Sequence, residues 1–311
     1  MLSLNSLPAQ PIGANVKYEC LIEGHPLNES SIEWHVNGQL INESNMRMRH
    51  SVEPHTNKQL KSEFFIYNVT VNDSNAQIEC RASNQFNQLN GYSVMTTHLI
   101  VNHQPIIDRE ARNLKYATKN GASKTNLICR AKGSPEVHFE WFRGGQNVVN
   151  STNYGHKYVI EMINQIDLIT FESRLTILNV SLDDLGEYQC FTRNSLGFDG
   201  EAIQLNLTSK PDQPFKLSII NITSNAMLLK WVPSFDGGMK QSFRIRFKQL
   251  DERSFRYKDC GDCDGHTLWI DQLQPNQEYT FNIQSINDLG ESQFTQDIVK
   301  AKTLRMINHI K

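Results

Sequence analysis

Residues 184–190 read DLGEYQC, and this stretch closes a pattern in which a tryptophan lies between two cysteines. The chain carries the pattern twice, first as Cys20, Trp34 and Cys80, and then as Cys129, Trp141 and Cys190. The cysteines of the two copies are 60 and 61 residues apart. Because the spacing is repeated, the first two thirds of the chain is predicted to hold two modules of the same architecture.

The pattern predicts all-β sandwiches of the immunoglobulin type. In such a sandwich the two cysteines bridge the facing sheets, and the tryptophan packs against the bridge. Apolar residues alternate with polar ones, which indicates strands. On the first strand of the first module, the predicted inward positions are Val16, Tyr18, Cys20 and Ile22. After each tryptophan, a glycine-containing dipeptide predicts a tight hairpin, at residues 37–38 and at residues 144–145.

The repeat extends into the region between the cysteines. Residues 64–70 (FFIYNVT) align with residues 175–181 (LTILNVS), and in both stretches an Asn precedes the closing Val. In the second module, Tyr188 lies two residues before the second cysteine. This is the position of the tyrosine corner, in which the hydroxyl bonds to upstream backbone.

The first module departs from the second near its second cysteine. Ile78 replaces the corner tyrosine. Ser74 and Ala76 align with Asp184 and Gly186 when the two modules are matched at their cysteines. We therefore expect a sandwich without the corner bond in the first module.

The third module has a different all-β signature. Trp231 lies on an early predicted strand, and residues 273–279 read LQPNQEY. An early buried tryptophan and an L-x-P-x-x-x-Y corner are typical of a fibronectin type III domain, which has the sandwich without its disulfide. The sequence Asp-Gly-Gly at residues 236–238 is interpreted as a turn between strands, because no helix follows that could bind a phosphate.

The chain has 311 residues, enough for three domains of about 100 residues each. We predict two immunoglobulin-like domains at residues 1–102 and 103–209, a fibronectin type III domain at residues 210–305, and a tail at residues 306–311. The linkers are short and contain proline, at residues 101–105 and 209–214. Such linkers favour a semi-rigid rod over a flexible string.

The composition indicates a protein that works outside the cell. The formal net charge is −2, and the 31 basic and 33 acidic residues are mixed along the chain. This argues against a nucleic-acid partner. The cysteines predicted to form disulfides are Cys20, Cys80, Cys129, Cys190, Cys260 and Cys263. Because structural disulfides persist in oxidising compartments, we expect secretion or a location on the extracellular side of the plasma membrane.

Eight Asn-x-Ser/Thr motifs are predicted N-glycosylation sites, about twice the number that chance would give for this composition. They are Asn28, Asn42, Asn68, Asn72, Asn150, Asn179, Asn206 and Asn221. A glycosylated face cannot also be a dry protein interface, so a partner is expected on a face without glycans. The strand pair at residues 34–36 and 39–41 is the candidate face, with Asn42 at its end.

Cys260 and Cys263 form a local C-x-x-C motif, and His266 lies close by. A structural disulfide across the loop is the interpretation we favour for an oxidising compartment. A redox-active pair is an alternative, although such pairs normally lie at a helix N-terminus. A zinc site of the two cysteines, His266 and an Asp is another alternative. A structural zinc site needs four ligands, and a second C-x-x-C or a pair of histidines is missing here.

No pattern of catalytic residues stands out. The sequence contains neither G-x-S-x-G nor H-E-x-x-H, and its 10 histidines are scattered. We therefore predict a protein that is not an enzyme, with no cofactor and no metal site. The predicted role is protein–protein binding.

The junction between the second and third modules resembles a known family. The stretch at residues 173–197, the linker KPDQP at residues 210–214 and the sequence WVPSFDGG at residues 231–238 are similar to nephrin and its invertebrate relatives. Ser234 stands where the family is expected to have Gly. The resemblance covers all three modules in domain type and is specific over about residues 170–250.

The resemblance implies a single-pass adhesion receptor at cell–cell junctions. Such receptors bind other immunoglobulin-superfamily ectodomains on a facing cell, homophilically or heterophilically. The N-terminal residues lack signal-peptide features, and no apolar run reaches about 18 residues. We therefore expect a membrane-proximal fragment, with its leader and membrane anchor outside this chain.

Three alternatives to the adhesion receptor stay open. The first is the ectodomain of a signalling receptor of the kinase or phosphatase type, and the second is a secreted matrix protein. The third is an intracellular giant muscle protein, which also uses both module types but would lack disulfides.

Overall fold

The structure is a computed structural model, and it describes residues 2–23, 32–41, 47–56, 59–83, 93–109, 114–148, 156–163, 166–261 and 263–305. Over these residues the chain folds into three successive β-sandwiches with short 3-10 turns between some strands. The predicted all-β fold class is confirmed.

The first sandwich consists of two four-stranded antiparallel sheets. One sheet contains, in order across the sheet, β1 (Leu2–Leu4), β3 (Val16–Glu23), β7 (Gln59–Ile66) and β6 (Met48–Thr56). The facing sheet contains, in order, β5 (Gln39–Leu40), β4 (Ile32–Val36), β8 (Ala76–Ala82) and β9 (Ser93–Leu99).

The second sandwich consists of two five-stranded sheets. One sheet contains, in order, β15 (Tyr158–Ile163), β16 (Thr170–Leu178), β12 (Lys124–Ser134), β10 (Val101–Ile107) and β2 (Gln10–Pro11). The facing sheet contains, in order, β11 (Lys115–Thr118), β18 (Gly197–Leu207), β17 (Gly186–Asn194), β13 (His138–Arg143) and β14 (Gln146–Asn147).

Strand β10 belongs to both of these sandwiches. At its start, Val101 pairs with Gln10 of the first module in parallel. At its end, Ile107 pairs with Ala131 of the second module in antiparallel fashion. The domain boundary predicted between residues 102 and 103 therefore falls inside a continuous strand.

The third sandwich has a three-stranded and a larger sheet. The first contains, in order, β19 (Phe215–Ile222), β20 (Met227–Val232) and β23 (Thr267–Ile270). The second contains, in order, β22 (Arg256–Cys260), β21 (Ser242–Gln249), β24 (Glu278–Asn287) and β25 (Gly290–Glu291), and β26 (Val299–Lys302) also pairs with β24. The hydroxyl of Tyr279 accepts a 2.8 Å hydrogen bond from the backbone of Gln274, which confirms the predicted corner in this module.

The cores follow the alternation read from the sequence. The four residues predicted to face inward on β3 are at most 5% exposed. Trp34, Trp141 and Trp231 are buried in the three separate cores. The Cα atoms of Cys20 and Cys80 are 6.5 Å apart, and those of Cys129 and Cys190 are 6.4 Å apart, with both pairs bonded through sulfur.

The predicted hairpins form after the two immunoglobulin-type tryptophans. Asn37 and Gly38 have φ angles of 51° and 76°, and Gly144 and Gly145 have φ angles of 55° and 76°. Two successive positive φ angles are the requirement of the tight hairpin turn, which explains the choice of Asn and Gly.

The tyrosine corner is present in the second module, as predicted. The hydroxyl of Tyr188 donates a 2.8 Å hydrogen bond to the backbone oxygen of Asp184. The first module has no tyrosine at this site, because buried Ile78 takes its place.

The alignment of Ser74 with Asp184 is wrong by one residue. A 3-10 turn spans Val71–Asp73 in the first module and Leu182–Asp184 in the second. The carboxylates of Asp73 and Asp184 each accept a 2.7 Å bond from the backbone N–H three residues earlier. Asp73 is therefore the counterpart of Asp184, because Asn75, at φ 65°, adds one residue before β8.

Candidate interaction surface

The face proposed from the sequence lies on the outer side of β4 and β5 in the first module. His35 lies opposite both Glu79 and Leu40 in the ladders. Its Nε2 is 3.1 Å from Oε2 of Glu33, and Nη2 of Arg81 is 2.6 Å from Oε2 of Glu79. The centre of this face is thus filled by polar groups that are already paired, which are costly to desolvate in an interface.

The second module presents an aromatic surface on the corresponding sheet. Strand alternation places Phe142 on β13, Phe191 on β17 and Phe198 on β18 on its outer side. We call these three residues the aromatic face. The rings of Phe142 and Phe191 meet edge to face, with centroids 5.3 Å apart. Phe191 is 39% exposed and Phe198 is 74% exposed, so much of both side chains is in contact with water.

A glycine lets Phe191 lie flat on the sheet. Gly200 is opposite Phe191 in the antiparallel ladder of β17 and β18. A Cβ atom at Gly200 would lie 2.7 Å from the ring, closer than side chains pack. The missing side chain therefore makes room for the ring, as in other aromatic–glycine pairs across strands.

Charged residues border the aromatic face. Arg193 lies opposite Phe198, and Glu140 lies opposite Phe191. Their side chains form a 3.2 Å ion pair, in which the side chain of Arg193 is 67% exposed. An apolar centre with a polar, solvent-accessible rim is the usual anatomy of a protein–protein interface.

The nearest described glycosylation motif on this sheet lies at its other end. Asn206 pairs with Ala117 of β11 and is on the same side of β18 as Gly200, six residues away. Six residues of strand span about 20 Å. A glycan on Asn206 would therefore cover the end of the sheet far from the aromatic face.

The other glycosylation motifs are distributed over the surface. Asn68, Asn72, Asn179 and Asn221 are exposed, and Asn206 is half-buried. Asn28, Asn42 and Asn150 lie outside the described residues. Glycosylation at all eight positions stays a prediction.

The C-x-x-C motif lies in the third module, where Cys260 ends β22 and Cys263 immediately precedes a 3-10 turn at Asp264–His266. Cys260 and Cys263 are bonded to each other in the structure. Among the described residues, no group of three or more His, Cys, Asp or Glu side chains is placed to hold a metal ion. Within all the described ranges of the chain, no helix is long and apolar enough to cross a membrane.

The aromatic face was not among the sequence-based predictions, although the sequence carries a signal for it. Phe142 follows the buried Trp141, and Phe191 follows the buried Cys190. Neighbours of inward residues on a strand must point outward. Two phenylalanines directly after the core markers of adjacent strands therefore predict an exposed aromatic pair.

Comparison with known proteins agrees with the three sandwiches. Residues 8–93 match the immunoglobulin I-set domain, residues 116–200 match the immunoglobulin domain, and residues 212–300 match the fibronectin type III domain. Domains of these types indicate a non-enzymatic protein family.

The relatives include adhesion proteins. Nephrin of Mus musculus is 32% identical over 201 residues, which cover 63% of this chain and 15% of nephrin. Cell adhesion molecule Dscam2 of Drosophila melanogaster is 27% identical over 206 residues, which cover 65% of this chain and 10% of Dscam2. The crystal structure of domains A168–A170 from titin covers 97% of both chains at 18% identity, with a TM-score of 0.33.

The chain spans about 15% of the length of the nephrins that it matches. Its three domain types occur in the order predicted from the sequence, and its similarity to nephrin extends over more than half of its residues. The chain thus contains two immunoglobulin domains followed by one fibronectin type III domain, and it is similar to nephrin over 63% of its length.

Proposed function

We propose that the chain is an extracellular segment of a cell-surface adhesion receptor. In this proposal it binds the ectodomain of another immunoglobulin-superfamily protein through the aromatic face of the second immunoglobulin domain. The observation that carries the proposal is the exposure of Phe191 and Phe198 on a sheet whose described glycosylation motif lies at the opposite end.

Binding at this face has a clear energetic basis. Burying a phenylalanine side chain contributes about 1.5–3 kcal/mol through the hydrophobic effect. Interface hot spots are enriched in aromatic residues that are surrounded by a polar rim. The Arg193–Glu140 pair supplies such a rim and would set the orientation of the partner.

The proposed location is the outer side of the plasma membrane at cell–cell junctions. It is supported by the two inter-sheet disulfides, which require an oxidising compartment, and by the similarity to a named cell adhesion molecule. The membrane anchor is expected outside this segment. A signalling receptor or a secreted matrix protein could use the same face, and what adjoins the segment in the full protein separates these alternatives.

A bead-aggregation assay tests the adhesive role. Beads coated with the secreted 311-residue chain are mixed with beads that carry the same chain, or with beads that carry the matching segment of mouse nephrin. We expect aggregation in at least one of these mixtures. We also expect Phe198→Asp to weaken the affinity between the bead-bound chains at least tenfold, because it places a charge in an apolar contact.

Val159→Asp is the matched control for this experiment. Val159 is 41% exposed and lies on β15, in the opposite sheet of the same domain. The Val159→Asp variant should leave aggregation unchanged. Absence of aggregation in both mixtures, or equal losses in the two variants, would refute the proposed function or its assignment to the aromatic face.

A further inference from the structure

The Asp236-Gly237-Gly238 turn of the fibronectin type III domain is packed against the second immunoglobulin domain. It follows β20 and leads towards β21. The backbone N–H of Ser209, in the linker between the domains, donates a 3.1 Å hydrogen bond to the oxygen of Gly237. Gly237 is itself buried, so this turn is an internal contact of the chain.

Both glycines of the turn are required for two independent reasons. Their φ angles are +74° at Gly237 and +78° at Gly238, which side chains rarely adopt. Neither position has space for a side chain. A Cβ at Gly237 would overlap the backbone oxygen of Ser209, and a Cβ at Gly238 would lie 2.6 Å from the Cβ of Ala117 on β11.

A buried amide joins the turn to the linker from the other side. Nδ2 of Asn287, at the end of β24, donates to the backbone oxygen of Ser209 at 2.8 Å and to that of Asp236 at 2.9 Å. Asn287 is 8% exposed. Both backbone groups of Ser209 are thus bonded to the fibronectin type III domain, and buried hydrogen bonds of this kind are costly to break.

An ion pair also crosses this junction, but it lies in water. Nζ of Lys115 on β11 is 2.5 Å from Oδ2 of Asp212, and the two side chains are 47% and 44% exposed. Exposed pairs of this type contribute little, about 0–1 kcal/mol. We therefore expect the buried turn to contribute more to the attachment than this ion pair does.

We propose that the Asp236-Gly237-Gly238 turn is an interdomain clamp. It holds the second immunoglobulin domain and the fibronectin type III domain in one fixed orientation, so that the pair moves as a single rigid body. The aromatic face then keeps a constant angle to the fibronectin type III domain. This inference does not depend on the adhesive role.

Distance distributions from pulsed electron paramagnetic resonance test the clamp in the whole chain. Spin-labelled non-natural amino acids replace exposed Glu187 in the immunoglobulin domain and exposed Lys300 in the fibronectin type III domain, so that the cysteines stay untouched. The unaltered chain should give a single narrow distance peak. Gly238→Ala should broaden this peak at least twofold, because the new methyl group pushes Ala117 away.

Gly121→Ala is a closely matched control. Gly121 has the same φ angle, +78°, but nothing lies within 4 Å of the position of its Cβ. The variant should leave the peak narrow, and so should Lys115→Ala. Asn287→Ala should broaden the peak without altering a glycine, which covers the case in which Gly238→Ala does not fold.

Several outcomes would overturn the clamp. The first is a broad distribution in the unaltered chain. The second is a narrow peak in Asn287→Ala and in any folded Gly238→Ala protein. The third is equal broadening by Gly121→Ala or by Lys115→Ala, which would assign the effect to backbone strain or to the ion pair.

Discussion

At the scale of single residues, two serines accept the hydrogen bonds of the indole N–H groups of Trp34 and Trp141. Nε1 of Trp34 donates to Oγ of Ser62, and Nε1 of Trp141 donates to Oγ of Ser173, each at 2.9 Å. Both serines are fully buried, at 0% exposure. Leaving a buried N–H without its acceptor costs about 1–3 kcal/mol. The hydrogen bond from the indole N–H therefore contributes substantially to the stability of each immunoglobulin domain.

We expect Ser173→Ala to lower the free energy of unfolding of the second immunoglobulin domain by about 1–3 kcal/mol. The reason is that the indole N–H of Trp141 loses its acceptor in a closed core. Hydrogen exchange of peptides from this domain, measured in the whole chain, reports the change.

Ser218→Ala is the control for this substitution. Ser218 is exposed on β19 of the fibronectin type III domain, and its hydroxyl donates to the oxygen of Lys230 at the surface. Hydrogen exchange of peptides from that domain reports the stability of this variant. Surface changes of this kind usually stay within about 0.5 kcal/mol. If both variants lost the same stability, the buried hydrogen bond would not be the cause.

The sequence predicted the tryptophans and cysteines but not these serines. Ser62 and Ser173 occupy equivalent positions in the two repeats, which was visible in the alignment. Their role follows from register, because each lies directly opposite the first cysteine of its module, Cys20 or Cys129. A repeat shows which positions are equivalent, but it does not show which residue each one faces across the sheet.

At the scale of elements, the 3-10 turn before β17 is held by a buried carboxylate. Burial alone would raise the pKa of Asp184. The Nζ of Lys157, 2.7 Å away, and the N–H and hydroxyl of Ser181 outweigh this effect and lower that pKa below its ordinary value. Asp73 holds the corresponding turn of the first domain, and Arg47 lies 2.6 Å from it.

The depressed pKa of Asp184 predicts a stability that is lost in acid. The carboxylate stabilises the folded state at pH values above its pKa in the unfolded chain, about 3.9. This contribution disappears as the pH falls from there through the lower pKa of the folded state. We expect Asp184→Asn to cost about 1.5–3 kcal/mol at pH 7 and to converge with the unaltered chain as the pH falls below the pKa of this carboxyl in the folded state. Hydrogen exchange of the second domain across this pH range measures the difference.

Asp183→Asn is the control in the same turn, because Asp183 is exposed. It should follow the unaltered chain at every pH. A deficit of Asp184→Asn that stayed constant from pH 7 to pH 2 would contradict an ionic origin.

Local elements were predictable where their cause is local. The hairpins after Trp34 and Trp141 need two successive positive φ angles. Asn-Gly and Gly-Gly dipeptides adopt such angles readily, so the sequence predicts these turns directly. The position of Asp73 was assigned wrongly, because matching the modules at their cysteines ignores the extra residue, Asn75. Matching at the shared Asn-Val-Thr/Ser motif gives the correct counterpart.

At the scale of the whole molecule, the two junctions could not be read from the sequence. The first is the continuous strand β10, which the prediction treated as a linker. The second depends on Asn287, which lies 78 residues after its acceptor Ser209. The sequence shows that both linkers are short, but contacts between residues so far apart arise only from the fold. The semi-rigid shape of the complete chain stays a prediction.

The extracellular assignment depends on the two inter-sheet disulfides. Each closes a loop of about 60 residues, and in the chain-entropy description each contributes about 4 kcal/mol. An intracellular protein of the same domain types, such as a titin-like muscle protein, would keep these cysteines reduced. The redox state of the cysteines therefore separates an adhesion receptor from that alternative.

The decisive measurement is peptide mapping of the protein from its native source, with free thiols blocked before the cells are opened. We expect two linked peptide pairs, one joining Cys20 to Cys80 and the other joining Cys129 to Cys190. Recovery of these four cysteines as blocked free thiols would contradict an adhesive role outside the cell.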